Sequence, residues 1–228
     1  MLKAKFLLIL TMAALLTCQK SESRLSRITF ARGEIFLIRG GSSPVPIEAG
    51  AILQHKDTLR TGKDSYAEVM VQNVGLFRLS ENSELNMEEL QANDKTIIRL
   101  DKGKAGFFLL KLIPNQQVGI KLPTAVAGVR GTRFLASADG ASKVALFGGA
   151  VQVENEQKQS VVLDKPGEVK LKKGDTLDSS SLKPLSAESI AEMKKLEELL
   201  PLDLQKVPTD AASTPEFRMP SGSDLKKP

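Results

Sequence analysis

From residue 28 to about residue 171, apolar and polar residues alternate in short runs that Gly, Asn, Asp and Pro interrupt. A two-residue period places alternate side chains on one face, as in a β-strand with one buried side. The clearest runs are residues 65–71, 118–122, 143–147 and 150–153. Such runs recur about every 8–12 residues without a helix-length pattern between them, which predicts an all-β domain over residues 28–174.

Two pairs of glycines in this region predict tight turns. Gly148-Gly149 separates two alternating runs, a pattern that favours a hairpin turn. Gly128 and Gly131 bracket two residues, which indicates another tight turn with exposed backbone. The strands on either side of each glycine pair are therefore predicted to be separate strands.

A different pattern begins at residue 186. Ser186 is a common N-cap residue type, and Glu188 lies in the first turn of the helix that the following residues predict. The apolar stripe of that helix consists of Ile190, Met193, Leu196 and Leu200. A helix over residues 186–200 is expected to dock on the β-domain through this stripe, with binding of a partner or membrane as the alternative. Residues 201–228 are rich in Pro, Ser and charged residues and are expected to form a disordered tail.

The start of the chain has the pattern of a signal peptide. Lys3 and Lys5 precede an uncharged apolar run from Phe6 to Leu16. As a helix this run would span roughly 17 Å at 1.5 Å per residue, too short for the ~30 Å core of a bilayer. Cys18 follows directly and is the only cysteine, so it has no partner for a disulfide within the chain.

These features predict export and lipid attachment at Cys18. The preceding residues 15–17, Leu-Leu-Thr, resemble a lipoprotein box, in which leucine stands three residues before the lipidated cysteine. The expected organisation is a signal helix over residues 1–17, a polar tether over residues 18–27 and a β-domain outside a membrane. A plain cleaved signal and an uncleaved anchor are the alternatives. Gln19 replaces the aspartate that retains some lipoproteins at an inner membrane, which favours the outer membrane.

Composition and charge argue against several functions. The net charge is +5, aromatic residues make up 4% and tryptophan is absent, which does not favour nucleic-acid binding. His55 is the only histidine, so a Ser/His/Asp triad or a histidine metal site has one candidate residue. No Gly-x-Ser-x-Gly elbow or Asp-x-Asp calcium loop occurs. The sequence predicts no cofactor, metal or catalytic residue, although a carboxylate pair of a glycan- or peptide-acting enzyme remains open.

Three stretches carry a more specific pattern: KDTLRTGKDSYAEV at 56–69, LFRLSENSEL at 76–85 and PTAVAGVRGTRF at 123–134. Together they resemble the ferric-citrate regulator (FecR) domain family, whose pattern includes Asp-x-Ile-x-Thr-Gly, Ser-x-Ala and Val-Arg-Gly-Thr-x-Phe. The matching residues are Asp57, Thr61, Gly62, Ser65, Ala67, Ser83, Val129, Arg130, Gly131, Thr132, Phe134, Gly149, Val151 and Gly167. The resemblance implies a FecR-like β-sandwich or β-solenoid.

The family's best-known members are membrane-spanning regulators that control a sigma factor and read a TonB-dependent transporter. We do not expect that arrangement here, because no residues precede the signal peptide and the segment after residue 171 is short and polar. The expectation is a lipid-anchored, non-enzymatic binding or scaffold module of the bacterial cell envelope. Its partners would be the membrane, through Cys18, and an unknown envelope protein or glycan. A sensor that pairs with a separate regulator or transporter is the alternative.

Arg130 and Arg133 are the candidate partner-binding side chains, because both are cations in the motif that the resemblance singles out. The competing interpretation is structural. An arginine has five donors and can tie a turn to strand carbonyls or to a carboxylate such as Asp57.

Overall fold

The computed structural model describes residues 25–90, 95–110 and 116–198. The predicted signal helix, Cys18, most of the tether and the predicted tail lie outside these residues. The strands are β1 (Ser26–Arg32), β2 (Ile35–Ile38), β3 (Val45–Pro46), β4 (Ile52–Leu53), β5 (Thr58–Thr61), β6 (Tyr66–Val71), β7 (Gly75–Leu79), β8 (Glu84–Leu90), β9 (Lys95–Lys102), β10 (Lys104–Leu109), β11 (Gln117–Lys121), β12 (Ala125–Ser137), β13 (Ser142–Asn155), β14 (Ser160–Leu163) and β15 (Gly167–Leu171). A 3-10 turn (Ser179–Ser181) and helix α1 (Ala187–Glu198) follow, so the all-β prediction with one C-terminal helix is confirmed.

The strands form one continuous sheet in the order β3-β2-β5-β8-β9-β11-β12-β10-β7-β6-β1-β4, and β13 joins β12 to β14 and β15. Neighbouring strands are antiparallel except β9 and β11. The first half of β12 pairs with β11 and its second half with β10. Likewise the first half of β13 pairs with β15 and its second half with β14. These two long strands therefore pass from one layer of a sandwich to the other.

We call the two layers A and B. Layer A contains β2, β3, β5, β8, β9, β11, the first half of β12, the second half of β13, and β14. Layer B contains β1, β4, β6, β7, β10, the second half of β12, the first half of β13, and β15. The main core lies between them and draws on both, with Leu59, Leu85, Ile98, Ile120 and Val151 from layer A and Val69, Phe77, Phe107, Phe134 and Leu146 from layer B.

β12 and β13 bend together where they change layers. The buried positions of β12 change from odd to even numbers at Gly131, which has a φ of +58°. Those of β13 change from even to odd near Gly149, which has a φ of +85°. One extra residue in each strand acts as a bulge and keeps the apolar side chains pointing inward on both sides of the bend. A Cβ on Gly149 would lie 2.5 Å from the carbonyl oxygen of Gly131, so the two strands touch there.

The two predicted glycine turns are wrong. Gly128 and Gly131 lie inside β12, and Gly148-Gly149 lies inside β13, so each predicted pair of strands is one bent strand. The physical reason is that glycine's access to positive φ serves a bulge within a ladder as well as a hairpin turn. The alternation on either side is the same in both cases.

Helix α1 docks on the outer face of layer B, as the sequence predicts. Met193 and Leu196 are buried, whereas Ile190 is 49% exposed and Leu200 lies outside the described residues. The two buried side chains pack in a second apolar cluster with Tyr66, Leu76, Phe108, Leu135 and Ala145. Across the described residues, no helix has both the length and the apolar character needed to cross a membrane.

Candidate functional site

Three hydroxyl residues of the recognised motif, Thr61, Ser65 and Ser83, bind the turns at which the chain crosses between the layers. The Thr61 hydroxyl donates to the Ser80 carbonyl over 2.6 Å and accepts the Ser83 N–H over 2.9 Å. The Ser83 hydroxyl in turn donates to the Lys104 carbonyl over 3.0 Å and accepts the Lys104 N–H over 2.9 Å. Thr61 and Ser83 therefore connect three successive turns.

Ser65, in the turn between β5 and β6, connects that turn to the turn between β1 and β2. Its hydroxyl accepts the Glu34 N–H over 2.8 Å and donates to the Lys63 carbonyl over 2.9 Å. Gly33 packs so closely on it that a Cβ there would lie 2.3 Å from the Ser65 Oγ. The hydroxyl groups of Thr61, Ser65 and Ser83 are thus occupied by backbone groups and hold a stack of turns at one end of the sandwich.

Asp57, the acidic residue of the motif, is also held by the protein. Its carboxylate accepts two bonds from Arg39, Nε to Oδ1 over 2.8 Å and Nη2 to Oδ2 over 2.7 Å, and one from the Gln54 N–H over 2.7 Å. Hydrogen bonding to Asp57 and its negative charge raise the pKa of Arg39. Asp57 is 1% exposed, so this pairing neutralises a buried charge. The sequence did not single out Arg39.

The two candidate arginines lie at the bend of β12. Arg133 projects from the outer face of layer B, and its Nη1 lies 2.9 Å from Glu197 Oε1 on α1. The backbone of Arg130 pairs with Ala150 across the β12–β13 ladder, and its side chain lies outside the described part of the structure. Arg133 thus binds the chain's own helix. The remaining predicted site residue, Cys18, lies outside the described residues.

Acidic side chains of α1 meet basic and polar groups of layer B. Glu188 lies 2.9 Å from the Lys104 ammonium and 3.2 Å from that of Lys143. Hydrogen bonds from Lys104 and Lys143, together with their charges, lower the pKa of Glu188 to about 2. Further along the helix, the Ser80 hydroxyl donates to Glu192 over 2.5 Å. The helix is therefore held by charge complementarity as well as by its two buried apolar side chains.

The N-terminus of α1 is fixed by Glu168 of β15. Its Oε2 accepts the Ser186 N–H over 3.2 Å, the Ser186 hydroxyl over 3.0 Å and the Ser189 hydroxyl over 2.6 Å. Burial raises the pKa of Glu168, but the hydrogen bonds from Ser189 and Ser186 outweigh it and lower the pKa overall. Ser186 also accepts the Ser189 N–H over 3.3 Å, as expected of the predicted N-cap residue.

A fully buried ion pair lies beneath the last turn of α1. Arg78 Nη2 donates to Glu68 Oε2 over 2.5 Å, and Arg78 Nη1 donates to the Leu196 carbonyl over 3.1 Å. The Thr29 hydroxyl donates to the other Glu68 oxygen over 2.6 Å, and the guanidinium lies 5.4 Å from the centre of the Phe30 ring. Burial lowers the pKa of Arg78, while Glu68 opposes that change. The cation thus binds a main-chain carbonyl in the last described turn of α1, where a positive charge is favourable.

Sequence reasoning missed this pair, although a signal was present. Arg78 interrupts the apolar run LFRL, and in the structure all five residues of β7 are buried. An apolar run without alternation predicts a strand that is buried on both faces. A charged residue within such a run is expected to have an oppositely charged partner inside the protein.

The described residues offer little for metal or histidine chemistry. They contain no group of three or more His, Cys, Asp or Glu side chains placed to hold a metal ion. His55 lies exposed in the loop between β4 and β5. The main feature of the candidate site is the outer face of layer B, whose basic and apolar side chains bind the acidic amphipathic helix α1.

Known proteins resemble the chain in sequence and in fold. The model of the family described as FecR protein matches residues 57–152. No curated protein matches the chain significantly. Two solved structures of a candidate anti-sigma factor from Parabacteroides distasonis ATCC 8503, at 2.50 and 1.65 Å resolution, superpose with a TM-score of 0.50 and 14% identity. Each match covers 59% of this chain and 62% of the other, less than two thirds of its length, and it shows likeness of fold.

Proposed function

We propose that the chain is an exported, lipid-anchored binding module of the bacterial cell envelope, in which residues 57–152, the part that matches the FecR family model, form the binding domain. The match to the FecR family is the observation that carries the binding role, and the signal-like pattern before Cys18 supports the export and the anchor. The hydroxyls of Thr61, Ser65 and Ser83 have a structural role in this domain, because backbone groups of the turns occupy them.

In this proposal Cys18 carries the membrane anchor. Acyl chains contribute about 0.8 kcal/mol per buried CH₂, so more than one chain on this residue makes release from the membrane negligible. The residues between Cys18 and β1 give the domain a short reach, and the domain presents its outer surfaces to an envelope protein or glycan. The lack of aspartate at Gln19 favours the outer membrane.

A second candidate function is sensing. The solved structures of similar fold are of a candidate anti-sigma factor, which favours a module that pairs with a separate sigma factor, regulator or transporter. A binding module and a sensor differ in whether occupancy of the domain changes transcription.

The anchor is tested by replacing Cys18 with serine. We expect Cys18→Ser to abolish incorporation of labelled fatty acid and to release the protein from membranes washed at high salt. Thr17→Ala is the matched control, because it keeps the cysteine and should leave both measurements unchanged. Retention of Cys18→Ser on the washed membranes would contradict the lipid anchor.

The partner is tested by crosslinking in intact cells followed by mass spectrometry. A binding module predicts one or a few envelope proteins captured by the anchored chain and lost in Cys18→Ser. Capture of a sigma factor, or of a transporter whose occupancy changes transcription, would favour sensing. Hydrolysis of an envelope glycan or peptide by the purified chain would contradict both.

A further inference from the structure

The exposed apolar side chains of the domain are concentrated on one strip. Seven large hydrophobic residues among those described are exposed by 41–56%. Four of them, Leu25, Ile52, Met70 and Leu110, lie in strands of layer B or directly flank them. The other three are scattered, Val45 and Val162 on the edge strands of layer A and Ile190 on α1.

The strand register places these residues side by side. Ile52 of β4 is paired with Arg27 of β1, and Arg27 is paired with Met70 of β6, so the three side chains share one row and one face. Leu25 precedes Arg27 by two positions and therefore points the same way. With strands about 4.8 Å apart, the row from Ile52 to Met70 is roughly 10 Å wide. We call these residues, with Leu110, the outer strip.

The outer strip lies beside the area that α1 covers. Met70 is paired with Leu76, which is only 6% exposed and belongs to the cluster under α1. Leu110 follows β10 two residues after Phe108, which belongs to the same cluster. Apolar residues of the outer face of layer B thus extend beyond the area that α1 covers, and Arg27 lies between Ile52 and Met70. Exposed apolar side chains that cluster on one face mark a contact with another molecule or with lipid.

The position of the strip along the chain indicates its occupant. Leu25 is the first described residue, and the seven positions from Cys18 to Leu25 span at most roughly 25 Å. A lipid on Cys18 would therefore keep the outer strip close to the membrane surface. Arg27, exposed at the centre of the row, has no ion-pair partner among the described residues. A cation between apolar side chains suits a surface of phosphate headgroups over acyl chains.

We propose that the outer strip rests on the lipid surface to which Cys18 anchors the chain. This inference depends on the proposed anchor and adds an orientation to it. The end of layer B formed by β4, β1 and β6 contacts the lipid, and the charged outer face of layer A points away from the membrane.

The chain is well suited to a direct test, because it contains no tryptophan and a single cysteine. Residues 18–228 are coupled through Cys18 to a maleimide lipid in vesicles of phosphatidylethanolamine and phosphatidylglycerol. One tryptophan is introduced per variant, as Met70→Trp or Ile52→Trp in the strip and as Val162→Trp on the edge of layer A. Circular dichroism establishes that each variant is folded, and brominated lipids serve as the quencher.

We expect the emission of Met70→Trp and Ile52→Trp to shift to the blue and to be quenched by brominated lipid, and that of Val162→Trp to change in neither way. Quenching of all three, or of none, would overturn the proposal. A blue shift in the strip variants that depends on protein concentration and needs no vesicles would also overturn it, in favour of contact between two copies of the chain.

The charge at the centre of the strip gives a second measurement. With uncoupled protein, Arg27→Gln should bind vesicles rich in phosphatidylglycerol about fivefold more weakly, since each cation near an anionic surface contributes of the order of 1 kcal/mol. Equal binding of Arg27→Gln and the unaltered chain would argue against the proposed contact. Chemical coupling makes the vesicle measurements independent of acylation in cells, so a failure of the Cys18→Ser experiment remains distinguishable.

Discussion

Two arginine–glutamate pairs occupy equivalent places in the two layers. Arg78 and Glu68 are direct cross-strand partners on the outer face of layer B, and their side chains are 0% and 4% exposed. Arg60 and Glu84 are direct cross-strand partners on the outer face of layer A, and their side chains are 44% and 29% exposed. The ladder geometry is the same. Only the cover differs, because α1 lies over the first pair and water over the second.

The same contrast extends to the whole of both outer faces. In layer A, further ion pairs occur, and Glu88 is paired with both Lys121 and Arg99. In layer B, Tyr66, Phe108 and Leu135 occupy the outer face and pack against α1. The outer face of layer A is thus exposed to solvent, whereas much of the outer face of layer B is buried. The difference arises because helix α1 covers layer B.

The largest effect is expected at the buried pair. Arg78→Ala leaves Glu68 buried without its cation, and loss of one partner of such a pair typically costs about 3–5 kcal/mol. Urea unfolding should show that decrease in the free energy of unfolding. Replacing both residues, as Arg78→Met with Glu68→Leu, should recover most of the loss, because no unpaired charge remains. A double variant as unstable as Arg78→Ala would contradict this explanation.

A smaller and more local effect is expected at the helix. Leu196→Ala removes a fully buried side chain, and such truncations typically cost about 2–5 kcal/mol. The only tyrosine, Tyr66, packs beneath α1, so its fluorescence reports docking. We expect α1 amides to exchange with solvent much faster than in the unaltered chain, with the strands of layer A unaffected. Ile190→Ala, at a half-exposed position of the same helix, is the control and should change little.

Acid should loosen the helix before it unfolds the sheets. The pKa of Glu188 is about 2 in the folded chain, below its usual 4.5, so the charged form is favoured by docking. The stabilisation is present above pH ~4.5 and is lost as the pH falls towards 2. Since the Glu188 side chain is 63% exposed, solvent screening limits the effect to less than about 1 kcal/mol. Tyr66 fluorescence followed from pH 6 to 2 should report the loss.

The control for the acid effect is Glu188→Gln. This variant should have a flatter profile of Tyr66 fluorescence, and the pH dependence that remains should come from Glu168, whose pKa is lowered in the same direction. Identical profiles for the variant and the unaltered chain would show that the Lys104 and Lys143 contacts do not contribute to docking.

The smallest effect is expected at the exposed pair. Arg60→Ala should change the free energy of unfolding by no more than about 1 kcal/mol, and the change should shrink further at high salt. The same denaturation experiment as for Arg78→Ala measures it. A loss comparable with that of Arg78→Ala would mean that burial is not what distinguishes the two pairs.

Much of the fold follows from local pattern. The two-residue alternation identified the β-domain, and the stripe of Met193 and Leu196 identified the helix and its buried side. The bends at Gly131 and Gly149 could not be predicted in the same way. A bulge in a continuous strand and a turn between two strands both need positive φ, and both are flanked by alternating residues.

The candidate site was less predictable, because its contacts join residues far apart in sequence. Arg133 was singled out as a candidate partner-binding side chain, and Glu197, the residue that it binds on α1, carries no local signal. Arg78 was not singled out, and its main-chain partner Leu196 also lies far away in the sequence, on the helix. The prediction that Cys18 carries a lipid remains a prediction.

The sequence by itself determined the strand content, the amphipathic helix and the three stretches that resemble the FecR family, because each of these patterns lies within a short segment of the chain. Only the tertiary structure decided which outer face meets water, which arginine is buried and where the outer strip lies. Those properties depend on strands and a helix distant in the chain lying against one another, and alternation within a single strand is the same whether its polar side faces solvent or α1.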